Sequence, residues 1–250
     1  MTAVKGRPEA CDVLTSYLLA KMAVVEAGFE GEITWQERRS FDDIDERSFL
    51  REAAWVVLSS GMRESVIRGL FPAVEAAFGN WRSGSWIVEH AADCKLQAMK
   101  TFRHVRKVDA LVDIAVNVAK RGVEPLLAEL RIVGPDALRA LPYMGPATSR
   151  HLAKNLGIDI AKPDRHLLRV ADATGYASPD SLCEHIGTMV GDTVAVVDLV
   201  IWRFATINAD YLDFFRRRRC PGPQGGHNRA MPERSPGVGY VLHGPRCTAG

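Results

Sequence analysis

The stretch from Gly134 to Ala171, which reads GPDALRALPYMGPATSRHLAKNLGIDIAKPDRHLLRVA, decides how this chain folds. Near its start, Pro135 suits the first turn of a helix, where its missing N–H would have no partner in any case. The short helix that begins there continues to Leu141. Pro142 then ends it, because proline lacks a backbone donor and clashes with the preceding turn.

A tight turn and a second helix follow directly. Gly145 permits the tight turn, because glycine adopts backbone conformations that other residues avoid. Pro146 begins the second helix, which runs to about Leu156, and Gly157 ends it. Two helices joined by a hairpin expose backbone N–H groups beside a helix N-terminus. An anion such as a DNA phosphate binds there without regard to base sequence.

Apolar residues recur at helical spacing along the rest of the chain. Two such patterns are Leu14, Leu18, Met22 and Val25, and then Val108, Leu111, Val112, Ala115, Val118 and Ala119. Phe49–Leu58 is apolar enough for a buried helix, and Glu64–Phe78 resumes the helical period. Val194–Phe215 predicts another long helix. Because no sustained alternation of period two indicates a strand, the predicted fold class is all-α.

The composition is that of an ordinary globular protein. The 250 residues are 47% hydrophobic and 25% charged, enough to bury a sizeable core. The longest purely apolar run, Ala53–Leu58, has six residues, against the roughly 20 that a membrane-spanning helix needs. The five cysteines lie far apart without a CxxC pair. This argues against a zinc site and a disulfide framework, and it suits a reducing cytoplasm.

Composition changes near residue 218. The segment 219–250 contains seven Gly and five Pro and has a net charge of +3, while 1–218 has a net charge of −1. We therefore expect a helical domain over 1–218 and a disordered tail over 219–250.

Because the domain is close to neutral, affinity for a polyanion has to come from local patches. Two stretches are locally basic. One contains Lys95, Lys100, Arg103, Arg106 and Lys107, and the other contains Arg150, Lys154, Lys162, Arg165 and Arg169.

A second motif follows the hairpin, Lys162-Pro163-Asp164-Arg165-His166-Leu167-Leu168-Arg169. With Leu-Pro-x-x-Gly-Pro-Ala-Thr over residues 141–148, this Pro-Asp-x-His-x-x-Arg pattern resembles the helix–hairpin–helix GPD superfamily of base-excision DNA glycosylases. The segments Phe49–Phe78 and His104–Leu111 are also similar to that family. The resemblance covers roughly residues 45–215. It implies two helical lobes with a cleft between them, one lobe over about 46–160 and a second from 1–45 plus 161–218.

The resemblance implies that Asp164 is the catalytic carboxylate. Breaking an N-glycosidic bond builds positive charge on the deoxyribose, which a fixed carboxylate stabilises while it orients or deprotonates a water. The target nucleotide is first flipped out of the base stack. The alternative role for Asp164 is an N-cap of a helix over Arg165–Ala173. The two roles are compatible, because a helix N-terminus favours the ionised carboxylate.

The sequence also departs from the family pattern. Bifunctional members carry a lysine on the second hairpin helix, which forms a Schiff base and cuts the strand, and the matching position here is Ser149. This resembles the monofunctional branch, so we expect hydrolysis without strand cleavage. Covalent trapping on DNA would instead indicate Lys154 or Lys162. Trp55 matches the catalytic Glu of the adenine-excising branch, so adenine excision is not expected.

The resemblance implies which residues contact DNA. The hairpin backbone at Met144, Gly145 and Ala147 would bind phosphate, with a bound monovalent cation as in the family. Gly61 matches the side chain that fills the vacated duplex, so Met62 or Arg63 would take that role, the alternative for Met62 being a packed core residue. The expected contacts are Met144, Gly145, Ala147, Thr148, Ser149, Arg150, His166, Arg169, Met62 and Arg63.

Cofactor and base-pocket expectations are less specific. Iron–sulfur members have four clustered cysteines after the last helix, and only Cys220 and Cys247 occur here, so we expect no cluster and no other metal. Aromatic rings stack on flipped bases, and they also pack in cores. The candidates for stacking are Trp35, Trp55, Tyr143 and Trp202, and those for reading a base edge are Glu30, Glu32 and Asp198.

The resulting hypothesis is a monomeric, cytoplasmic, nucleoid-associated DNA glycosylase that acts on a damaged or modified base in double-stranded DNA and leaves an abasic site. Two alternatives remain open. One is a DNA-binding protein that has kept the scaffold without catalysis. The other is a relative that modifies bases in hypermodified DNA by transfer rather than by hydrolysis.

Overall fold

Helices alone make up the regular structure in the computed structural model, which describes residues 10–216. The α-helices are α1 (Ala10–Glu26), α2 (Glu30–Glu37), α3 (Glu46–Ser59), α4 (Glu64–Ala77), α5 (Gly84–Glu89), α6 (Ala91–Thr101), α7 (Val105–Arg121), α8 (Val123–Val133), α9 (Pro146–Asn155), α10 (Arg165–Thr174), α11 (Pro179–Val190), α12 (Val194–Ile207) and α13 (Tyr211–Arg216). Short 3₁₀ helices cover Phe41–Asp43, Gly79–Trp81 and Pro135–Ala140. The prediction of an all-α fold is confirmed.

Several helices begin at side-chain caps that the sequence makes available. Asp45 accepts a hydrogen bond from the Ser48 N–H at the start of α3. Ser178 forms a reciprocal capping box at the start of α11, and Thr193 caps α12. Such caps satisfy N–H groups that the first helical turn leaves without partners.

The buried apolar residues form two clusters. One contains residues between Ile44 and Leu156, and it includes most of α3 to α9. The other combines Val13–Ile33 with Ala161–Phe215, so the N-terminal helices pack with the C-terminal ones. The division into lobes over 46–160 and over 1–45 plus 161–218 stays a prediction. The tail 219–250 lies outside the described residues.

Two details of the helix prediction are wrong. The segment Val194–Phe215 is two helices, because Asn208 has an extended backbone and its side chain accepts a hydrogen bond from the Asp210 N–H at 2.9 Å. This local bond competes with the continuing helix. In addition, the first hairpin helix is a 3₁₀ helix over Pro135–Ala140.

In α1 the helical spacing is correct, but the apolar face it picks out lies outward. Leu18, Met22 and Val25 are exposed, and Tyr17 and Val24 on another face are buried.

Candidate active site

The hairpin turn is built around Tyr143. The Met144 N–H donates to the Leu141 carbonyl at 3.2 Å, and Tyr143 has a positive φ of 63°. With proline at its second position, this is a type II turn, in which glycine usually occupies the place that Tyr143 has here. The expectation that Gly145 makes the tight turn is therefore wrong. Gly145 is extended, with φ −80°, and it forms the N-cap of α9.

Three N–H groups at this turn have no partner within residues 10–216. The first helical hydrogen bond of α9 joins the Ser149 N–H to the Gly145 carbonyl at 2.9 Å, which leaves the N–H groups of Gly145, Ala147 and Thr148 free. A Cβ on Gly145 would come no closer than 3.9 Å to its nearest neighbour. The chain itself therefore tolerates a side chain there, and glycine keeps these donors accessible to an anion.

Other expected hairpin contacts have internal roles. Met144 is buried, and its N–H is used in the turn. Ser149 is only 1% exposed, and its hydroxyl donates to the Pro146 carbonyl. Arg150 donates to the Ala161 carbonyl at 2.9 Å and pairs with Asp180. In the described arrangement these three side chains face the protein, so the expectation that they contact DNA is not supported by their placement.

The hairpin carbonyls are also engaged. The Thr148 hydroxyl donates to the Tyr143 carbonyl at 2.8 Å and lies 3.2 Å from the Gly145 carbonyl, which also accepts from the Ser149 N–H. The monovalent cation implied by the resemblance would take such carbonyl oxygens as ligands. A carbonyl oxygen has two lone pairs, so the Tyr143 carbonyl, which accepts one hydrogen bond, keeps a site for a ligand. The ion at this turn stays a prediction.

Asp164 uses one carboxylate oxygen as a cap and leaves the other free. It is half-buried at the N-terminus of α10, where Oδ1 accepts hydrogen bonds from the N–H groups of His166 at 2.8 Å and Leu167 at 3.0 Å. Within residues 10–216 no donor binds Oδ2. The side chain is thus fixed in orientation while one oxygen remains available to a ligand.

His166 and Arg169 occupy the same helix. The His166 Nε2 atom accepts from Arg165 at 3.2 Å, which places the proton of the neutral ring on Nδ1, 3.1 Å from the Tyr211 hydroxyl. Burial lowers the pKa of His166 and the Asp164 charge opposes this, so the surroundings favour the neutral ring. Arg169 is exposed, as a residue that meets a phosphate has to be.

Beneath Asp164 lies a cluster of charged groups that the sequence did not reveal as a unit. Lys154 on α9 and Asp198 on α12 form a buried ion pair. The second Asp198 oxygen accepts the Lys162 N–H at 2.9 Å, so Asp198 has no free oxygen with which to read a base. Burial raises the pKa of Asp198, which the Lys154 charge opposes. Burial also lowers the pKa of His151, and the charges of Lys162 and Lys154 lower it further.

The aromatic candidates lie in separate surroundings. Trp55 packs edge-on against Phe71 with ring centroids 5.2 Å apart, and the Arg203 guanidinium lies 4.5 Å from the Trp202 ring centroid. Both rings are half-buried, and their role in stacking on a flipped base stays a prediction. Trp35 lines an open groove of about 360 Å³ formed by residues of α2 and its C-terminal end, and no residue of α9 or α10 lines it.

An ionic network connects the surroundings of Trp55 and Trp202. Arg203 binds Glu32 through two hydrogen bonds of 2.9 and 2.7 Å, and Arg68 binds Glu32 at 2.6 Å and also pairs with Glu64. Glu32 therefore supports the fold rather than presenting a free carboxylate to a base. Sequence carried no signal of this network, because Glu32 and Arg203 are 171 residues apart.

The loop after α3 presents Met62 and Arg63 to solvent. Gly61 has φ +69°, Met62 is 38% exposed, and Arg63 is exposed. The loop is held from below by Lys107, whose ammonium donates to the carbonyls of Leu58 at 2.8 Å and Ser60 at 2.6 Å. The placement is compatible with insertion of Met62 or Arg63 into DNA, which stays a prediction.

Several cations of the two basic stretches form contacts within the protein. Lys107 is buried under the loop, and Lys95 pairs with Asp109 at 2.7 Å. Arg150 and Lys154 are also paired internally. Exposed cations from the two stretches are Lys100, Arg103, Arg106, Arg165 and Arg169.

No group of three or more His, Cys, Asp or Glu side chains in the described residues is placed to hold a metal ion. Cys220 and Cys247 lie outside those residues. None of the described helices is long and apolar enough to cross a membrane.

Comparisons with known proteins support the fold. No protein-family model and no curated protein matches the sequence. The crystal structure of Methanocaldococcus jannaschii 8-oxoguanine glycosylase/lyase, in complex with a 15mer DNA containing 8-oxoguanine, is similar with a TM-score of 0.52 and 16% sequence identity. The similarity covers 76% of this chain and 96% of that chain. At this identity, the likeness shows a shared helical fold.

Proposed function

We propose that this chain is a DNA glycosylase that hydrolyses the N-glycosidic bond of a damaged or modified base flipped out of duplex DNA. The observation that carries the proposal is the free Oδ2 atom of Asp164, on a carboxylate that two backbone N–H groups hold at a helix N-terminus. The fold shared with a glycosylase/lyase that binds 8-oxoguanine-containing DNA supports it.

The fixed carboxylate suits the chemistry of base release. As the bond from C1′ to the base breaks, positive charge develops on the deoxyribose, and an oriented anion stabilises that state without having to reorganise. The cap keeps Asp164 from rotating, while Oδ2 faces the sugar or the attacking water. Release leaves an abasic site.

The hairpin supplies the binding contact for this reaction. Free N–H groups at Gly145, Ala147 and Thr148 bind a backbone phosphate, and the exposed Arg169 adds a positive charge from α10. These contacts position the strand and carry no base sequence information. The base that is excised is therefore selected elsewhere in the site.

A screen of duplexes that each contain one damaged base, followed by alkali to cut at abasic sites, tests the proposal. For the base that is released, Asp164→Asn is expected to lower the rate by about 10² to 10³-fold while DNA affinity is kept. Asp172→Asn, which changes an exposed carboxylate on the same helix, is the matched control and is expected to react at the wild-type rate. Equal rates for Asp164→Asn and wild type would reduce Asp164 to a cap.

The Gly145→Ala variant tests the hairpin separately. The added methyl fits the fold, so the unfolding midpoint is expected to stay unchanged. It adds bulk next to the free donors, so affinity for any duplex is expected to fall. Unchanged affinity at an unchanged unfolding midpoint would remove the hairpin from the DNA interface.

The second candidate is a DNA-binding protein without catalysis. The capping bonds of Asp164 favour it, because capping α10 is by itself a sufficient role for an aspartate at this position. Such a protein would bind duplex DNA and release no base from any member of the screen.

A further inference from the structure

Lys162 is the unusual residue beside Asp164. It is half-buried, two residues before Asp164, in the segment that connects α9 to α10. Its backbone is fixed, since its N–H donates to Asp198 at 2.9 Å and its carbonyl accepts from the Asp164 N–H at 2.8 Å. In contrast, its ammonium group makes no hydrogen bond and no ion pair within residues 10–216.

The charges of Asp164, Lys154 and Asp198 act on the Lys162 ammonium. Together with the bond from the Lys162 N–H to Asp198, this connects Lys162 to the charged cluster at the candidate active site. Burial lowers the pKa of Lys162, an effect that the Asp164 charge opposes and the Lys154 charge reinforces. A larger fraction of this amine is therefore uncharged and nucleophilic at neutral pH than of an exposed lysine.

Other lysines in the described interior lack this freedom. Lys154 is locked to Asp198, with only 7% of its side chain exposed. Lys107 donates to two carbonyls, and Lys21 pairs with Asp192 at 2.7 Å. An unpaired amine in an enclosed setting is costly for the fold unless it has a use, and Lys162 combines that cost with proximity to Asp164.

We propose that Lys162 is an amine nucleophile that acts on C1′ of the abasic sugar and makes the protein a strand-cleaving lyase. This inference rests on the proposed function, because the carbon that Asp164 serves during base release is the one that Lys162 then attacks. It replaces the expectation of hydrolysis alone. That expectation came from Ser149, which is buried in α9. Its identity says nothing about a lysine at another position in the site.

The reaction balances without a further co-reactant. The Lys162 lone pair adds to the C1′ aldehyde of the ring-opened abasic sugar, and the resulting carbinolamine loses water to give an imine. A water takes up a C2′ proton, and the C2′–H electrons form a double bond to C3′. The C3′–O bond breaks in the same elimination, so the 3′ phosphate leaves with its bonding electrons. Water then hydrolyses the imine, which frees Lys162 and releases the unsaturated aldehyde end.

The test uses a duplex with a preformed abasic site, made by enzymatic removal of uracil, so it does not depend on which base the protein excises. Borohydride reduces the imine to a stable amine, and the covalent protein–DNA adduct is counted on a denaturing gel. The wild-type protein is expected to be trapped and to nick the strand. Lys162→Arg, which keeps the charge, is expected to lower both at least tenfold.

Two controls separate chemistry from structure. Lys120→Arg changes an exposed lysine outside both basic stretches and is expected to trap as wild type does. Binding of Lys162→Arg to a duplex with a tetrahydrofuran abasic analogue, which cannot form an imine, is expected to stay within about twofold of wild type, and its unfolding midpoint is expected to be unchanged.

The outcomes for this inference and for the proposed function are distinct. Equal trapping by wild type and Lys162→Arg, or no wild-type trapping, overturns the role of Lys162 whether or not the protein releases a base. Failure of every damaged base in the glycosylase screen overturns the proposed function, and trapping on the preformed abasic site would still assign the amine.

Discussion

Two lysine–aspartate pairs lie side by side in this fold, and they are held in opposite ways. Lys154 and Asp198 are buried and bound to each other, with 7% and 1% of their side chains exposed. Lys162 and Asp164 are only half-buried, and neither finds an ionic partner within residues 10–216. Asp198 bridges the pairs, because it also accepts the Lys162 N–H at 2.9 Å.

The difference shows how one cluster serves both stability and chemistry. The closed pair satisfies its charges at a fixed geometry and supports the segment that carries Lys162. The open pair keeps one carboxylate oxygen and one amine available to a substrate. Both pairs consist of a lysine and an aspartate. The degree of burial and the presence of bonding partners therefore distinguish the structural pair from the reactive one.

The largest expected effect is on stability and breaks the closed pair. Lys154→Met leaves the Asp198 carboxyl buried without its ionic partner, so we expect a loss of about 3–5 kcal/mol in the free energy of unfolding. Lys162→Met removes an ammonium with no ionic partner, and we expect a change of about 1 kcal/mol or less in either direction. Urea unfolding of the two variants measures both.

Both variants introduce methionine, so any effect of the methionine side chain on stability is common to the two measurements. A similar loss for both would show that Lys162 is as structural as Lys154. A small loss for Lys154→Met would mean that the buried pair contributes little beyond its desolvation cost.

A smaller effect separates the two roles of Asp164. Alanine removes the cap on α10 and is expected to cost about 1 kcal/mol in the free energy of unfolding. Asparagine keeps a capping oxygen, so Asp164→Asn is expected to be near wild type in stability and still deficient in base release. Thermal unfolding with the alkali assay tests this, and a strongly destabilised Asp164→Asn would invalidate the activity comparison.

The same residues show which features could be predicted from the sequence. The helices and the cap at Asp164 were predictable, because apolar periodicity and the Pro-Asp pattern are local signals. The pairing of Lys154 with Asp198 was not, since 44 residues separate them and only the folded chain brings them together.

The hairpin shows the same limit at shorter range. Sequence located the turn correctly and assigned its special backbone to Gly145, because glycine is the usual residue for positive φ. The positive φ is at Tyr143, so Gly145 remains free for a different purpose. The sequence likewise places Arg150 in a basic stretch that faces solvent. In the structure its side chain binds the Ala161 carbonyl and Asp180.

The last and smallest expected effect is a shift in pH dependence that measures the coupling within the open pair. Imine formation needs the uncharged amine, so the rate of borohydride trapping is expected to rise with pH and to level off above the pKa of Lys162. Burial lowers that pKa and the Asp164 charge raises it. Asp164→Asn removes the raising charge, so its trapping profile on a preformed abasic site is expected to move to lower pH. Profiles measured between about pH 6 and pH 10 cover the range below the usual lysine pKa.

Asp172→Asn, on the exposed face of the same helix, is expected to leave the profile in place. A shift to higher pH, or none, would show that the two side chains titrate independently and that proximity in sequence does not make them a functional pair.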